Sequence, residues 1–234
     1  FRGMDSGLVM GLYLDAVDHL ITLQLGGGEG QRAGCRSYSY AFDEERFVWE
    51  LNFTLEHWVR RLLGREINAG DDRAFQQVFD RMASDMLDQK LYFTHRDYHS
   101  RNLMVQGGVL RILDFQDARL GPPQYDLASL IRDSYVTLPQ GWEERLLKYY
   151  FQRWEQEGKA EPEKERFMGI YRTTCLQRNL KAIGTFASQK TLRGKDYYLR
   201  FIPGTLAHIR ESLASVAEFS RLRELIAEYA PELL

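Results

Sequence analysis

Three oxygen-bearing side chains in one short stretch define the chemistry open to this chain. The segment His95-Arg96-Asp97-Tyr98-His99-Ser100-Arg101-Asn102 sets Asp97 five residues ahead of Asn102, and Asp114 ends the next apolar run but one. An aspartate can take a proton from a hydroxyl, while an amide oxygen and a second carboxylate are hard ligands suited to Mg2+. Transfer of a phosphoryl group asks for that set: an aligned acceptor hydroxyl, a base, and oxygens that hold Mg2+ against nucleotide phosphates. A lone His-Arg-Asp triplet or a lone Asp-Phe pair carries little weight, because polar triplets are common in loops. Asp97, Asn102 and Asp114 in that order, with strand-forming runs between them, are specific.

The elements around these residues must bring them together. Leu91-Tyr92-Phe93-Thr94, Leu103-Met104-Val105 and Val109-Leu110-Arg111-Ile112-Leu113 read as short strands, and Gln106-Gly107-Gly108 reads as the turn between the last two. Such a hairpin folds Asp114 back beside Asn102 and leaves Asp97 in the loop after the first strand. Elsewhere the apolar spacing is helical: near 8–25, 43–63, 71–89 with Asp71 as N-cap, 125–135, 141–157, 161–187 and 204–230. Phe75, Val78, Phe79, Met82 and Met86 form one buried stripe in the third of these. Pro122-Pro123, Pro139, Pro162 and Pro203 punctuate the later helices, and the Gly26 to Gly34 segment is a plain connector. The fold class expected is α+β, mainly helical.

Composition narrows the partners. The formal net charge is −2 over 234 residues, so no broad basic field calls for nucleic acid or an anionic membrane. Hydrophobic residues make up 44% of the chain, which is enough for a packed core. The apolar runs are read as too short for a membrane span and the start lacks a signal-peptide pattern. Cys35 and Cys175 are the two cysteines, too few for a disulfide framework, and a reducing cytoplasm fits best.

The run from His95 to Val105, followed by Ile112-Leu113-Asp114-Phe115-Gln116-Asp117, resembles the aminoglycoside phosphotransferase family, whose members have a protein-kinase-like fold. Asp114 to Ala118, Gly121-Pro122, the run Tyr125 to Val136 and the run Leu176 to Phe186 are similar to the bacterial cell-wall amino-sugar kinases of that family. The resemblance implies ATP and Mg2+ as cofactors and the anomeric hydroxyl of N-acetylmuramate or N-acetylglucosamine as acceptor, in peptidoglycan recycling. By the same resemblance Asp97 matches the base, and Asn102 and Asp114 match the metal and nucleotide ligands. His95 belongs to the supporting loop. His99 either shapes that loop or touches substrate, and Asp126 either braces the loop or simply caps a helix. Gln177 and Lys181 share a helix face with Arg178 beside them; they are either an acceptor-binding patch suited to a carboxylate or a solvated surface.

Family members place a nucleotide-covering lobe ahead of this region, with a strand lysine for the phosphates, and residues 1–90 contain no Val-Ala-x-Lys-like strand. The expectation is a single kinase-like C-terminal lobe without its N-terminal lobe: an unassigned tail at 1–7, helices at 8–90, the catalytic loop and hairpin at 91–118, and a helical acceptor-binding part at 119–234. Weak activity in isolation follows. Another small alcohol as acceptor, an aminoglycoside or choline, and a non-catalytic detached lobe are the competing readings. Oligomeric state is not legible.

Overall fold

The computed structural model describes residues 5–26, 34–158, 163–215 and 217–234. Most of the tail at 1–7, the glycine-rich connector after Gly26 and Pro162 lie outside the described residues. The chain divides into two compact units, one formed by Phe1–Ala41, Lys90–Asp133 and Thr137–Met168, the other by Phe42–Gln89, Ser134–Val136 and Gly169–Leu234. Each unit draws on several separate segments, so no linker in the sequence marks them.

The first unit begins with α1 (Ser6–Leu25), started by Asp5, whose side chain accepts from the Gly7 and Leu8 amides at 2.8 and 3.1 Å. This helix is long and apolar enough to cross a membrane by length and composition, contrary to the reading of the apolar runs as too short. Many of its apolar residues are spent inside the unit: Val9, Met10, Leu12, Tyr13, Val17, Leu20 and Ile21 are buried, while Leu8 is exposed. Gln24 ties its end to the rest of the unit, donating to the Pro123 carbonyl at 2.8 Å and accepting from the Tyr150 hydroxyl at 2.6 Å.

Four short strands follow: β1 (Tyr92–Thr94), β2 (Leu103–Gln106), β3 (Val109–Ile112) and β4 (Arg119–Gly121). β2 and β3 form the expected hairpin, with Leu103 opposite Ile112 and Gln106 opposite Val109. Gly107 and Gly108 turn it with φ of 60° and 78°, a pair of left-handed conformations that match the twist of the strands and that side chains resist. β1 pairs antiparallel with β4, Tyr92 against Gly121. β4 falls where a helical region was expected to begin; at three residues it is too short to show an alternating pattern, and only its partner defines it. Helices α4 (Gln124–Ile131) and α5 (Trp142–Gln156) complete the unit, together with the start of α6 (Lys164–Arg193).

In the second unit, α2 (Glu44–Thr54) runs into a π-helical segment, Leu55–Leu62, where a single α-helix over 43–63 was expected. The wider turn puts residues five apart on one face, and Arg61 Nε meets Glu56 Oε1 at 2.6 Å across it. α3 (Ala69–Leu87) is capped by Asn68, whose Oδ1 accepts from the Gly70 and Asp71 amides, not by Asp71. Asp71 lies in the first turn, and its hydrogen bond from Tyr229 leads the contacts that hold its carboxyl below the usual range. Phe75, Phe79, Met82 and Met86 are buried as the stripe predicts, with Val78 at the core's edge. The expected helix over 204–230 is two, α7 (Ile202–Ser215) and α8 (Ser220–Tyr229).

Gly184 on α6 approaches Thr54 so closely that a Cβ would lie 2.4 Å from Thr54 Oγ1 and 2.8 Å from its Cα. The Thr54 hydroxyl donates to the Leu180 carbonyl at 2.9 Å, locking that contact. Gly184→Ala therefore sets a gain of about 1 kcal/mol in helix propensity against about 1 to 3 kcal/mol of overpacking where backbone must shift. The steric term wins, and chemical denaturation is expected to show a net loss of stability.

Candidate active site

The loop after β1 is shaped by one buried carboxylate. Asp126, in the first turn of α4, accepts from the His95 amide with Oδ2 at 2.5 Å and from the Arg96 amide with Oδ1 at 2.9 Å. Arg96 sits at φ 82°, a conformation that a side chain resists and that these charged hydrogen bonds hold in place. Its guanidinium reaches Asp117 at 3.0 Å. Asp126 thus ties two successive amides of the loop to α4.

Three further ties fix the loop's other faces. The His95 ring nitrogen Nε2 meets the Leu113 carbonyl at 2.8 Å; a carbonyl only accepts, so Nε2 carries the proton. Tyr98 is fully buried and donates to the Ala16 carbonyl at 2.8 Å, and burial pushes its hydroxyl well above the usual phenol range. The Ser100 amide donates to Asp133 Oδ2 at 2.9 Å. Asp133 was given no role by the sequence reading. Helical spacing could not have found it, because Asp133 lies two residues past the end of α4 and its partner amide is 33 positions away.

Within this frame hydrogen bonds link Asp97 to Asn102, and Asn102 to the residue before Asp114. The Asp97 carbonyl accepts from the His99 amide at 3.0 Å and from Asn102 Nδ2 at 2.9 Å. That second bond orients the Asn102 amide and turns its oxygen away from Asp97's backbone. The His99 carbonyl in turn accepts from the Asn102 amide at 2.9 Å, so His99 is engaged in setting the loop through its backbone. The Leu113 amide donates to the Asn102 carbonyl at 2.9 Å, which extends the hairpin by one pair and delivers Asp114 to the residue beyond. Asp114 has φ 69°, turning the chain at the strand end, and Gln116 Nε2 holds its Oδ1 at 3.0 Å.

Gln177, Arg178 and Lys181 belong to the second unit, on α6. Gln177 and Lys181 do share a face, since both reach Glu50: Gln177 Nε2 at 3.0 Å and Lys181 Nζ at 3.3 Å. Gln177 is fully buried, so it is part of neither an open patch nor a solvated surface, and the distant partner that buries it is invisible to helical periodicity. Arg178 is half-buried.

Comparison with known proteins identifies the family to which this arrangement belongs. The profile of the phosphotransferase enzyme family (APH) matches residues 35–167, and the chain belongs to that family. It is 35% identical over 222 residues to the N-acetylmuramate/N-acetylglucosamine kinase of Neisseria meningitidis serogroup B, covering 93% of this chain and 63% of that protein. The fold is shared with the ADP-bound aminoglycoside phosphotransferase APH(2'')-Ib, with a TM-score of 0.54 at 14% identity over 90% of this chain and 67% of that one. It is shared also with a choline/ethanolamine kinase family protein from Mesorhizobium loti, with a TM-score of 0.59 at 16% identity over 92% of this chain and 65% of that one.

Asp126→Asn replaces one acceptor oxygen by a donor facing an amide, leaving a buried N–H unpaired at a penalty of about 1 to 3 kcal/mol. The expected outcome is a stability loss of that order in chemical denaturation, with the Arg96 and His95 amides losing protection in hydrogen exchange. Unchanged protection at both amides would show that Asp126 does not hold the loop.

Proposed function

We propose that this chain carries the acceptor-activating and metal-holding half of an ATP-dependent kinase that phosphorylates the anomeric hydroxyl of N-acetylmuramate and N-acetylglucosamine. The reaction class is supported by Asp97 and Asn102 on a loop braced by Asp126, Asp133 and the His95 to Leu113 bond, with Asp114 next to the residue paired to Asn102, in a member of a phosphotransferase family. The amino-sugar acceptor is supported by the 35% identity to the Neisseria kinase.

Asp97 is the base in this reading. The acceptor oxygen forms a bond to the γ-phosphorus as the bond from that phosphorus to the bridging oxygen breaks. ADP leaves with that electron pair, and Asp97 takes the hydroxyl proton. His95 and Asp126 keep the loop in register, and His99 serves loop shape first.

The donor set suits Mg2+. Asn102 offers a neutral amide oxygen and Asp114 a carboxylate at the mouth of the hairpin, both hard oxygens, and Mg2+ in nucleotide sites takes one or two protein ligands beside phosphate and water. Among the described residues no cluster of three or more His, Cys, Asp or Glu forms a closed cage. When bound there with nucleotide, the ion would neutralise charge on the phosphate oxygens. Asn102 and Asp114 would hold it, and the Gln116 contact to Asp114 would keep that carboxylate aimed.

The chain spans 63% of the Neisseria relative's length. No lysine-bearing strand for the phosphates is found among the described residues before Tyr92, and the 234 residues alone are expected to turn over slowly. A cytoplasmic location, where ATP is supplied, fits this reading. Choline and aminoglycosides are the alternative acceptors.

ADP release measured across N-acetylmuramate, N-acetylglucosamine, kanamycin and choline tests the acceptor. Asp97→Asn is expected to lower kcat by about 10^2-fold or more with KM little changed, because a general base acts in the transition state. Full activity in Asp97→Asn would remove it as the base. Turnover of choline alone would remove the sugar.

A further inference from the structure

Arg96 holds a backbone conformation that its residue type does not favour. Among the described residues, the positions other than glycine with positive φ are Arg96 at 82° and Asp114 at 69°. Aspartate visits this region through local hydrogen bonding, whereas a long side chain enters it at a cost and glycine enters it freely. Asp126 holds the turn through the backbone amides of His95 and Arg96, contacts that a glycine at 96 would make equally well. What arginine adds over glycine is its side chain, and strain of this kind collects where position matters.

That side chain is 11% exposed, and its Nη1 meets Asp117 Oδ2 at 3.0 Å. Asp117 lies three residues beyond Asp114, in the turn between β3 and β4. Residues 113–117 are all exposed, Phe115 at 67%, so burial does not fix this turn. Its ends are anchored. The Leu113 amide and carbonyl bond to Asn102 and to the His95 ring, and Arg119 pairs with Thr94 on β1. Between those anchors the Ala118 amide donates to the Phe115 carbonyl at 3.1 Å, closing a tight turn whose central residues are Gln116 and Asp117. The Arg96 contact lands inside that turn, and it comes from the residue next to Asp97. An ion pair with a half-exposed member contributes little to stability. It can set position, because a guanidinium presents its donors in a fixed fork to a carboxylate.

We propose that Arg96 is a positioning residue that clasps the turn carrying Asp114 to the loop carrying Asp97, with Asp117 as the other half of the clasp. Neither residue takes part in phosphoryl transfer itself; together they set the separation between the base and the carboxylate that holds metal. The strained backbone at 96 is kept because glycine, which would relax it, has no side chain to reach Asp117. The inference rests on the phosphotransferase reading of Asp97 and Asp114 and deepens it by naming the contact that keeps the two in register.

Arg96→Gly relieves the backbone and removes the clasp, while Asp117→Asn removes the charge at an exposed position and leaves the loop untouched. In hydrogen exchange on the 234-residue chain, both variants are expected to speed exchange of the Ala118 amide. The Leu113 and His95 amides, held by Asn102 and Asp126, should keep their protection, which separates a loosened turn from general destabilisation. In steady-state assays of the active enzyme, both variants should lower kcat and raise the half-saturating Mg2+ concentration by about tenfold, the usual scale for losing a group that orients a metal ligand. KM for the acceptor should stay within about twofold. Asp117→Glu should recover part of each effect, and Arg96→Gly combined with Asp117→Asn should be no worse than either alone. An unchanged Ala118 amide in Asp117→Asn overturns the clasp, and so do unchanged kcat and Mg2+ dependence in that variant. Full activity in Asp97→Asn overturns the parent reading instead, and the exchange comparison still decides the clasp.

Discussion

The candidate active site depends on one buried carboxylate accepting two successive backbone amides. Asp126 takes the His95 and Arg96 N–H groups on its two oxygens. A left-handed residue with a side chain costs about 1 to 2 kcal/mol, and hydrogen bonds to a charged group contribute about 1.5 to 3 kcal/mol each, so the pair outweighs the strain at Arg96. The same bonds offset the desolvation of Asp126. Loop conformation and buried charge therefore require each other: without the carboxylate Arg96 relaxes, and without the loop's amides the carboxylate is left unpaired in the interior.

From that clamp the rest of the first unit's site follows in sequence. Because the turn at Arg96 is held, the His95 ring can donate to the Leu113 carbonyl and tie the loop to the hairpin end. Because the hairpin continues to the pair of Asn102 with Leu113, Asp114 emerges next to a residue already bonded to the Asp97 carbonyl. Tyr98 pins the loop from below through Ala16, and Asp133 holds the Ser100 amide at the far end. Asp97 is thereby carried on backbone secured at both sides. Such preorganisation is what phosphoryl transfer demands, since its catalysis is largely positioning and charge stabilisation.

The second unit uses a buried charge differently. There Glu50 faces side-chain cations and an amide, not backbone, and what it fixes is the heads of Arg46 and Lys181. Close helix packing makes the placement possible: Gly184 lets α6 approach Thr54 on α2, one turn from Glu50, and the Thr54 hydroxyl bonds the Leu180 carbonyl beside Lys181. A side chain at Gly184 would push apart the two helices that supply the cluster.

Local pattern alone determined the hairpin, the order Asp97, Asn102, Asp114 along it, the buried stripe of α3 and most helices, because strand alternation, helical spacing and a Gly-Gly turn are written in adjacent residues. It failed where the deciding partner is remote or the choice is between near-equal local options. β4 exists only through β1, and Asn68 displaces Asp71 as cap by a matter of three residues. The apolar length of α1 reads the same for a core helix as for a span until its neighbours are known. Asp133 and Glu50 could not be found by spacing, since the first acts on an amide 33 positions away and the second on a side chain 127 positions away. Sequence carries the identities of charged groups and their local periodicity; which of them meet is decided by packing, because a buried charge takes its role from whatever donors the fold brings to it.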